Sequence, residues 1–432
     1  MTTEQDITYQ DLQKFNQDYE QTPSSAALGR AVQENGVTAA SRNYAAKRDL
    51  NRVFSIEVET GAVTAQKKSG RCWLFATLNT MRHEFEREYH VKDFQFSQNY
   101  NSFFDRLEKA NHYLEEVIRL ADRPNDDREL LDVLNWNDND GGQWANAAAL
   151  INKYGVVPQS VMPETFASDQ TSDLNSSLNL KLSKDAMHLR EMKAAGKSDE
   201  ELRAYKKEAL SDIYRILVYA FGQPPVKFDF EYRDQDKKYH IDRDLTPKSF
   251  FEKYCKRNFD DYVCLLDAPD HKMDQKFGLP SQDYIYDGKH IEFLNVGTQE
   301  LKEAVIESLK NGETVWFGCD VLQDLDRQKG YLSSEFFKQG EFSTFHLVGL
   351  PSTTSTPVNV IAWETSPLRD INRSFLLNSR SMLNNSPCLK NSDERFDKYV
   401  YEVIINQKYI SEHAKQINQQ AKIDLPAWDS LR

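Results

Sequence analysis

The fold is decided by the stretch Ser69-Gly70-Arg71-Cys72-Trp73-Leu74, which begins three residues after Gln66. Ser69-Gly70 is a signal for a turn and for the start of a helix. The apolar residues that come next recur at helical spacing, and they are Leu74, Leu78, Met81 and Phe85. This spacing predicts an amphipathic helix with Cys72 in its first turn.

A cysteine in this position has the layout of a thiol nucleophile. The unpaired N–H groups and the positive end of the helix dipole favour a thiolate, and such a site can lower a thiol pKa from about 8.5 by several units. Arg71 adds local positive charge. Gln66 can direct its amide N–H at the oxyanion that forms in acyl transfer. The other interpretation is a buried structural cysteine, and the pairing of Cys72 with Gln66 favours catalysis through a thioester.

The residues around Cys72 resemble the nucleophile segment of papain-like cysteine peptidases, and more narrowly that of the aminopeptidase C / bleomycin hydrolase family. The resemblance covers nearly the whole chain. Its further words are Val53-Phe54-Ser55, Asp140-Gly141-Gly142-Gln143-Trp144, Lys153-Tyr154-Gly155-Val156-Val157-Pro158, Val315-Trp316-Phe317-Gly318-Cys319-Asp320-Val321, Tyr399-Val400-Tyr401-Glu402-Val403 and Leu425-Pro426-Ala427-Trp428-Asp429. The resemblance implies a papain-like α+β fold, in which a helical part carries the nucleophile and an antiparallel β part carries a histidine. It also implies a cytoplasmic cysteine aminopeptidase that hydrolyses peptides through an acyl-enzyme.

Composition limits the class of protein. The 432 residues can hold one large α+β unit with insertions, or two domains. The polar, acidic N-terminus does not read as a signal peptide, and the longest apolar stretch, near residues 216–221, is too short to span a bilayer. A net charge of −13 argues against a nucleic-acid surface.

The cysteines show no metal-binding or disulfide pattern. There are five, and none are spaced as CxxC: Cys72, Cys255, Cys264, Cys319 and Cys388. Neither a disulfide framework nor a zinc site is expected, so no metal and no cofactor are predicted. A reducing cytoplasm fits this cysteine usage best.

The chain divides into three predicted parts. Residues 1–50 form a polar N-terminal arm with helical patches at 9–19 and 26–35. Residues 51–405 form the catalytic domain, with a charge-rich helical insertion at about 165–275 that includes helices at 186–203 and 204–219. Residues 406–432 form a C-terminal tail. Strands are predicted at 314–321, 345–350, 358–364 and 399–405 after a helix at 301–309, and helices followed by strands indicate an α+β class.

A nucleophilic thiol needs a base, and His346 is the best candidate among nine histidines. Most of the others stand in charged, polar stretches where a surface histidine is expected. His346 opens the apolar run Leu347-Val348-Gly349-Leu350, so it would lie at the edge of a sheet. The family carries its base at this place, and we therefore expect His346 to act as the base for Cys72.

The third member of the site departs from the family, which orients the histidine with an asparagine followed by Ser-Trp-Gly. If the strands after His346 form a hairpin, Thr365 returns opposite it, in the word Glu364-Thr365-Ser366. Asn378 is the rival, because its separation from Tyr399 suits the family better. It would leave an extra strand between the histidine and the asparagine, so Thr365 is favoured. An orienting residue fixes the tautomer and the ring position, so its loss would reduce the rate without removing the chemistry.

Gly141 and Gly142 are the predicted substrate-binding element. Adjacent glycines let a backbone approach a ligand closely, and in papain-like enzymes such a pair binds an extended peptide as an added strand. The other interpretation is a plain turn, since Asp-Gly and Gly-Gly are common turn words. The place of the pair between the cysteine and histidine segments favours binding.

The sequence leaves three functions open. In the family the C-terminus enters the cleft and receives the substrate amine, and this chain ends about three residues early, at Arg432, so an oligopeptidase or endopeptidase is an alternative to the aminopeptidase. The change at Thr365 leaves room for a catalytically weakened member that acts as a peptide-binding assembly. The expected partners are peptide substrates and further copies of the chain, since relatives form hexamers.

Overall fold

The structure is a computed structural model that describes residues 6–47, 55–62, 64–136, 139–320, 325–326, 331–338, 356–363, 374–377 and 389–431. The helices are α1 (Tyr9–Gln21), α2 (Ser25–Ala40), α3 (Cys72–Tyr89), α4 (Gln98–Arg119), α5 (Arg128–Leu134), α6 (Trp144–Tyr154), α7 (Phe166–Asp169), α8 (Ser172–Ala194), α9 (Asp199–Phe221), α10 (Pro247–Phe250), α11 (Thr298–Lys310), α12 (Asp393–Tyr399) and α13 (Glu412–Asn418). The strands are β1 (Ile56–Glu57), β2 (Phe228–Arg233), β3 (Tyr239–Leu245), β4 (Tyr262–Leu266), β5 (Gln275–Gly278), β6 (Glu292–Asn295), β7 (Val315–Cys319), β8 (Leu325–Asp326), β9 (Tyr331–Leu332), β10 (Thr356–Trp363), β11 (Ser374–Leu377), β12 (Leu389–Ser392), β13 (Val400–Asn406) and β14 (Ile423–Asp424). Helices precede most of the strands, which confirms the predicted α+β class.

Helix α3 is the predicted nucleophile helix, and it begins at Cys72 itself. It ends where His90 adopts a left-handed φ of 51°. Every residue from Trp73 to His83 is buried, so the helix is enclosed rather than amphipathic as predicted. The reason is its position, because it packs against helices α4 and α6 and against strands β7 and β10. A helix with neighbours on several sides keeps no solvated face.

The charge-rich helical block forms helices α8 and α9, which pack on each other and on α4. The break between them was predicted at residues 203 and 204 and lies instead between Ala194 and Asp199. Gly196 has a φ of 81° there, and Ser198 caps α9 by accepting the N–H of Glu201. These end signals outweigh the charge pattern on which the predicted boundary depended. The limits of the arm, the insertion and the tail stay predictions.

The main sheet has twelve strands among the described residues, in the order β14-β5-β6-β4-β13-β7-β10-β11-β12-β9-β8, with β1 paired to β10. Strand β7 lies between β13 and β10 and is antiparallel to both. Its register with β13 pairs Gly318 with Glu402 and Trp316 with Ile404. This register sets which side chains of β7 and β13 lie beside each other.

Strands β7, β10 and β13 confirm the predicted strands to within two residues at each end, and the strand predicted at 345–350 lies outside the described residues. The end of the predicted helical insertion, residues 246–275, is only partly helical. They contain a short helical turn, then strand β4 and the first residue of β5. The hairpin of β2 and β3 was also missed. These strands are short, and their many polar residues obscure the alternation of apolar and polar residues that indicates a strand.

Two cores lie on the two faces of the sheet. One fills the space between the sheet and the helices, and it includes Trp73, Trp144 and Trp316. The other packs helix α11 against the opposite face, with Leu301 and Phe317 among its members. Trp316 joins the sheet to the nucleophile helix, because its Nε1–H donates to the carbonyl of Trp73 at 3.1 Å. The start of α3 is therefore fixed against the middle of the sheet.

Candidate active site

Cys72 lies at the junction of a tight turn and helix α3. The carbonyl of Arg71 accepts the N–H groups of Leu74 and Phe75 at 3.1 and 3.0 Å. The N–H groups of Cys72 and Trp73 have no acceptor within the helix, as at any helix start. Cys72 as a whole residue is half-buried, and it is a free cysteine.

The thiol is not a thiolate through the helix start alone, contrary to the sequence-based expectation. Burial among protein atoms raises the pKa of Cys72 to about 12, and the N–H groups of Trp73 and Cys72 lower it by less. The negative charge of Asp140 raises the pKa further, and the neighbouring Cys319 adds to the rise. Desolvation therefore outweighs the helix terminus here. A base must take the proton from this thiol before it can attack.

Gln66 is folded into the same turn as the cysteine. Its Nε2 donates to the carbonyl of Ser69 at 2.5 Å, and the Ser69 hydroxyl donates back to the carbonyl of Gln66 at 2.7 Å. The residue is buried, and its Oε1 has no hydrogen-bond partner among the described residues. An amide nitrogen carries two N–H groups, so one remains for a ligand oxygen. This is compatible with the oxyanion role that the sequence suggested.

Arg71 serves the turn and not the thiol. Its guanidinium is 1% exposed and forms a two-point contact with Glu164, at 2.8 and 3.3 Å. It also donates to the carbonyl of Ser168 at 2.7 Å and to the hydroxyl of Ser69 at 3.0 Å. The expectation that Arg71 would favour a thiolate was wrong, because Glu164 neutralises its charge.

Asp140 holds the other side of the nucleophile turn. Its Oδ2 accepts the N–H of Gly70 at 2.5 Å and the hydroxyl of Thr171 at 2.7 Å, and its carbonyl accepts Nε1–H of Trp73 at 2.7 Å. Burial would raise the pKa of this carboxyl, but the Arg106 charge and these hydrogen bonds outweigh burial and hold it below its ordinary value. Asp140 is therefore a buried carboxylate that fixes the loop before Cys72.

The predicted substrate-binding glycines lie against the nucleophile helix. A Cβ on Gly142 would stand 2.8 to 3.0 Å from atoms of the Trp73 ring, so only glycine fits there. Gly141 receives a hydrogen bond on its carbonyl from Lys109 at 2.5 Å. Its N–H donates to Asn139 Oδ1 at 2.9 Å. The structure thus brings Gln66, Cys72 and Gly142 to one place, with Trp73 between the last two.

The sheet supplies a wall opposite the turn. Cys319, at the end of β7, is fully buried, and it contributes to the raised pKa of Cys72. Tyr401 on β13 also interacts with Cys72, and burial raises its pKa well above the ordinary value. The Tyr401 hydroxyl has no hydrogen-bond partner among the described residues. The thiol therefore lies in the seam between helix α3 and strands β7 and β13.

His346, Thr365 and Asn378 lie outside the described residues, and so does Cys388. The roles assigned to the first three remain predictions. Sequence reasoning missed Asp140 and Lys109. Asp140 was interpreted only as part of an Asp-Gly-Gly turn motif. Nothing in the sequence indicated that its buried carboxylate accepts the N–H of Gly70. Lys109 gave no signal, since it stands in an ordinary helical pattern.

The C-terminal tail follows the body of the protein to residue 431. Strand β14 pairs with β5, and the Trp428 ring lies 4.2 Å from the Arg128 guanidinium. Asp429 contacts His271 Nε2 at 3.0 Å. Burial lowers the pKa of His271, but the hydrogen bonds that its ring donates to Asp270 and Asp429 outweigh burial and raise the pKa overall. This contact ties the tail to the loop after β4.

No helix in the described part of the chain combines the length and apolar character that a membrane span needs. The fold and the thiol site define the class as a papain-like cysteine peptidase. Comparison with known proteins agrees: residues 6–347 and 385–432 match the Peptidase C1-like family, and the chain belongs to this family. The resemblance to aminopeptidase C that the motifs indicated is confirmed.

Several relatives match along nearly their whole length. Aminopeptidase E of Lactobacillus helveticus is 43% identical over 99% of both chains. Aminopeptidase C of the same species is 36% identical, over 99% of this chain and 98% of its own. The crystal structure of PepW from Lactobacillus rhamnosis HN001 superposes with a TM-score of 0.93, at 38% identity and with 99% of each chain covered. The protein is thus a cysteine-type peptidase, similar to these aminopeptidases.

Proposed function

We propose that the chain is a cysteine aminopeptidase that hydrolyses peptides through a thioester on Cys72. The observation that carries the proposal is the nucleophile turn, in which Asp140 holds Gly70 and Arg71 holds Ser69, directly before Cys72. Such fixation keeps a nucleophile in reach of a bound carbonyl. The family relatives with aminopeptidase names support the same reaction.

The reaction follows from the proposed roles. His346 takes the proton from Cys72, which the raised pKa of the buried thiol makes necessary. The thiolate attacks the peptide carbonyl, and the free N–H of Gln66 with the N–H of Cys72 stabilises the oxyanion. The amine leaves with the proton from His346, and water then hydrolyses the thioester. Thr365 is proposed to orient the histidine ring, and Gly141 and Gly142 to bind the peptide backbone.

The test is labelling with a thiol-directed peptide inhibitor, followed by mass mapping. We expect label on Cys72, and loss of both label and peptidase activity in Cys72→Ala. Cys255→Ala is the matched control, since Cys255 is also a free cysteine in a half-buried residue. Burial raises the pKa of Cys255 above its ordinary value. Peptidase activity that survives in Cys72→Ala would refute the proposal.

A second candidate is a catalytically weakened member that acts as a peptide-binding assembly. It is favoured by one finding, namely that residues 348–384 fall between the two stretches that match the family. Both Thr365 and Asn378 stand in this segment. Under this alternative, the unchanged chain binds peptides but turns over more slowly than Thr365→Asn. An unchanged rate in that variant argues against it.

We also infer that the protein assembles with copies of itself. Helix α1 has no buried residue, and its apolar side chains Tyr9, Leu12, Phe15 and Tyr19 are each more than half exposed. Their spacing puts them on one face of the helix, and a row of this kind marks an interaction surface. A hexamer, as the family suggests, and a cytoplasmic location are part of the proposal. Sedimentation analysis of the double variant Leu12→Asp with Phe15→Asp tests the hexamer.

A further inference from the structure

Lys109, on helix α4, holds the loop that carries the two predicted substrate-binding glycines. Its Nζ donates to the carbonyl of Gly141 at 2.5 Å, to the carbonyl of Asn139 at 3.0 Å and to Oδ2 of Asp105 at 2.9 Å. An ammonium group has three N–H donors, so these three acceptors use all of them. Lys109 therefore has no donor left for a substrate, and it acts on the loop.

The carbonyl between these two is held from the nucleophile helix. The indole N–H of Trp73 donates to the carbonyl of Asp140 at 2.7 Å. The Lys109 Nζ lies 5.6 Å from the centre of the same ring, within the range of a cation–π contact. The N–H of Gly141 is also occupied, because it donates to Asn139 Oδ1 at 2.9 Å. Three successive carbonyls of the loop are thus held by two side chains.

Gly142 comes next, and its backbone groups remain available. Its N–H and its carbonyl have no hydrogen-bond partner among the described residues, and the residue is only half-buried. The position of its absent Cβ faces the Trp73 ring, so the indole supports this residue from one side. An extended peptide that adds as a strand needs such a pair of a free N–H and a free carbonyl.

The carbonyl of Gly141 and the N–H of Gly142 belong to the same peptide group. A trans peptide group is planar, and its C=O and N–H point in opposite directions; the described part of the chain has no cis peptide bond. The hydrogen bond from Lys109 to this carbonyl therefore directs the N–H of Gly142 away from the lysine. Two adjacent glycines have the freest backbone of any residue pair, so an anchor at this peptide group has a large effect on its orientation.

Lys109 is itself held in place by a buried acceptor. Asp105, one helical turn before it, is 1% exposed, and its Oδ1 accepts the hydroxyl of Tyr284 at 2.5 Å. The Tyr284 ring centre lies 5.2 Å from the Lys109 Nζ. The lysine side chain is 16% exposed, so water has little access to its donors. These contacts give the ammonium one position relative to the glycine loop.

We propose that Lys109 is a positioning residue, which fixes the peptide group between Gly141 and Gly142 so that Gly142 pairs with the backbone of an extended peptide substrate. The proposal rests on the proposed function, because the peptide must bind along the glycines. Lys109 forms no bond with the substrate, and its contribution is the prior orientation of a group that does. Its removal should weaken the backbone pairing and leave the contacts of the substrate side chains in place.

The test is a thermodynamic cycle between Lys109 and the peptide backbone, measured as binding and not as turnover. Hexapeptides are titrated by calorimetry into full-length Cys72→Ala, with each amide in turn replaced by an ester, which lacks the N–H and has a weaker carbonyl acceptor. Where the peptide pairs with Gly142, we expect the ester to weaken binding roughly fivefold to tenfold. In Cys72→Ala with Lys109→Met, binding of the amide peptide should weaken, and the cost of the ester should fall below about twofold.

Lys181→Met is the matched control. Lys181 is 21% exposed and pairs with Asp185, which is 1% exposed and also accepts a tyrosine hydroxyl, that of Tyr205 at 2.9 Å. Its salt-bridge partners among the described residues are carboxylates of helices α8 and α9. Lys181→Met should lower stability in urea as Lys109→Met does, and it should keep the full cost of the ester. A purely structural role of Lys109 would weaken both peptides equally and leave that cost unchanged.

The outcomes are distinct. An ester cost that Lys109→Met leaves unchanged, or no ester cost at any position in Cys72→Ala, overturns the proposal. If Lys109→Met does not fold, Lys109→Arg decides, because it keeps a cation beside Asp105 while its planar guanidinium cannot direct N–H groups at the same three acceptors. It should fold and show a reduced ester cost, and a full ester cost overturns the proposal. Failure of the proposed function would appear instead as the expected cycle in a protein whose unchanged chain hydrolyses no peptide.

Discussion

Replacing Asp140 should loosen the nucleophile turn and destabilise the protein. Its buried carboxylate accepts hydrogen bonds from Gly70, Thr171 and Asn175, and it faces the charge of the buried Arg106. A hydrogen bond to a charged group contributes roughly 1.5–3 kcal/mol, and the loss of one partner of a buried charge pair costs about 3–5 kcal/mol. We expect Asp140→Ala to lower the free energy of unfolding by about 4 kcal/mol. Asp140→Asn keeps an acceptor for Gly70 and should cost about 2 kcal/mol.

The effect should depend on pH in one direction. The pKa of Asp140 is held below its ordinary value, so the carboxylate stabilises the fold above the ordinary range of aspartate, near pH 4, and this stabilisation is lost as the pH falls through the folded-state pKa. The difference between the unchanged chain and Asp140→Asn should therefore be larger at pH 7 than at pH 3. Urea unfolding at both pH values measures this difference.

The assay needs a control and a site readout. Asp173→Asn removes an exposed carboxylate at the start of α8, and it should change the unfolding free energy by less than about 0.5 kcal/mol. The alkylation rate of Cys72 should rise in Asp140→Asn, because the Asp140 charge raises the pKa of the thiol and its removal favours the reactive thiolate. Equal urea midpoints for Asp140→Ala and the unchanged chain would refute the reasoning.

Three further predictions concern the site and the tail. Thr365→Asn should raise kcat or leave it unchanged, and Asn378→Ala should act only through stability; a loss of kcat with an intact fold in the second variant would transfer the orienting role to Asn378. Gly142→Ala should slow peptide hydrolysis and lower stability by about 1–3 kcal/mol, because its Cβ would overlap the neighbouring indole ring, which steady-state kinetics and urea unfolding measure. Removal of residues 429–432 breaks the contact between Asp429 and His271, and it should increase cleavage of acetylated relative to free peptides if the tail sets the choice between exo- and endo-cleavage; an unchanged ratio would exclude the tail from specificity.

The sequence predicted the elements whose signals are local. The start of α3 at Cys72 followed from a turn word and a helical spacing. The electrostatics of the thiol did not follow, since desolvation depends on packing that no local pattern shows. For the same reason Arg71 was assigned to the thiol, although its partner Glu164 is distant in sequence.

The strands that were missed show a second limit. Strands β4, β5 and β6 have four or five residues each, and they are strands because they add to the sheet beside β13. Strand pairing depends on the assembled sheet, so the sequence of a short segment with mixed polarity gives little indication of it. Glu402 likewise stands in one of the segments that resemble the family, but only the assembled sheet shows that it is buried opposite Gly318.

The contacts of the nucleophile turn also bear on how far this protein can be shortened. Glu164, Ser168 and Thr171 all stand at the entry to the helical block, and they supply acceptors or donors to Arg71 and Asp140. Deleting the block to reach a smaller scaffold would leave a buried guanidinium and a buried carboxylate without these partners. A transplant of the Cys72 segment into another protein must therefore bring this short stretch with it. The helical block therefore helps to position the Cys72 thiol, and a change in the block requires a matching change in the Cys72 segment.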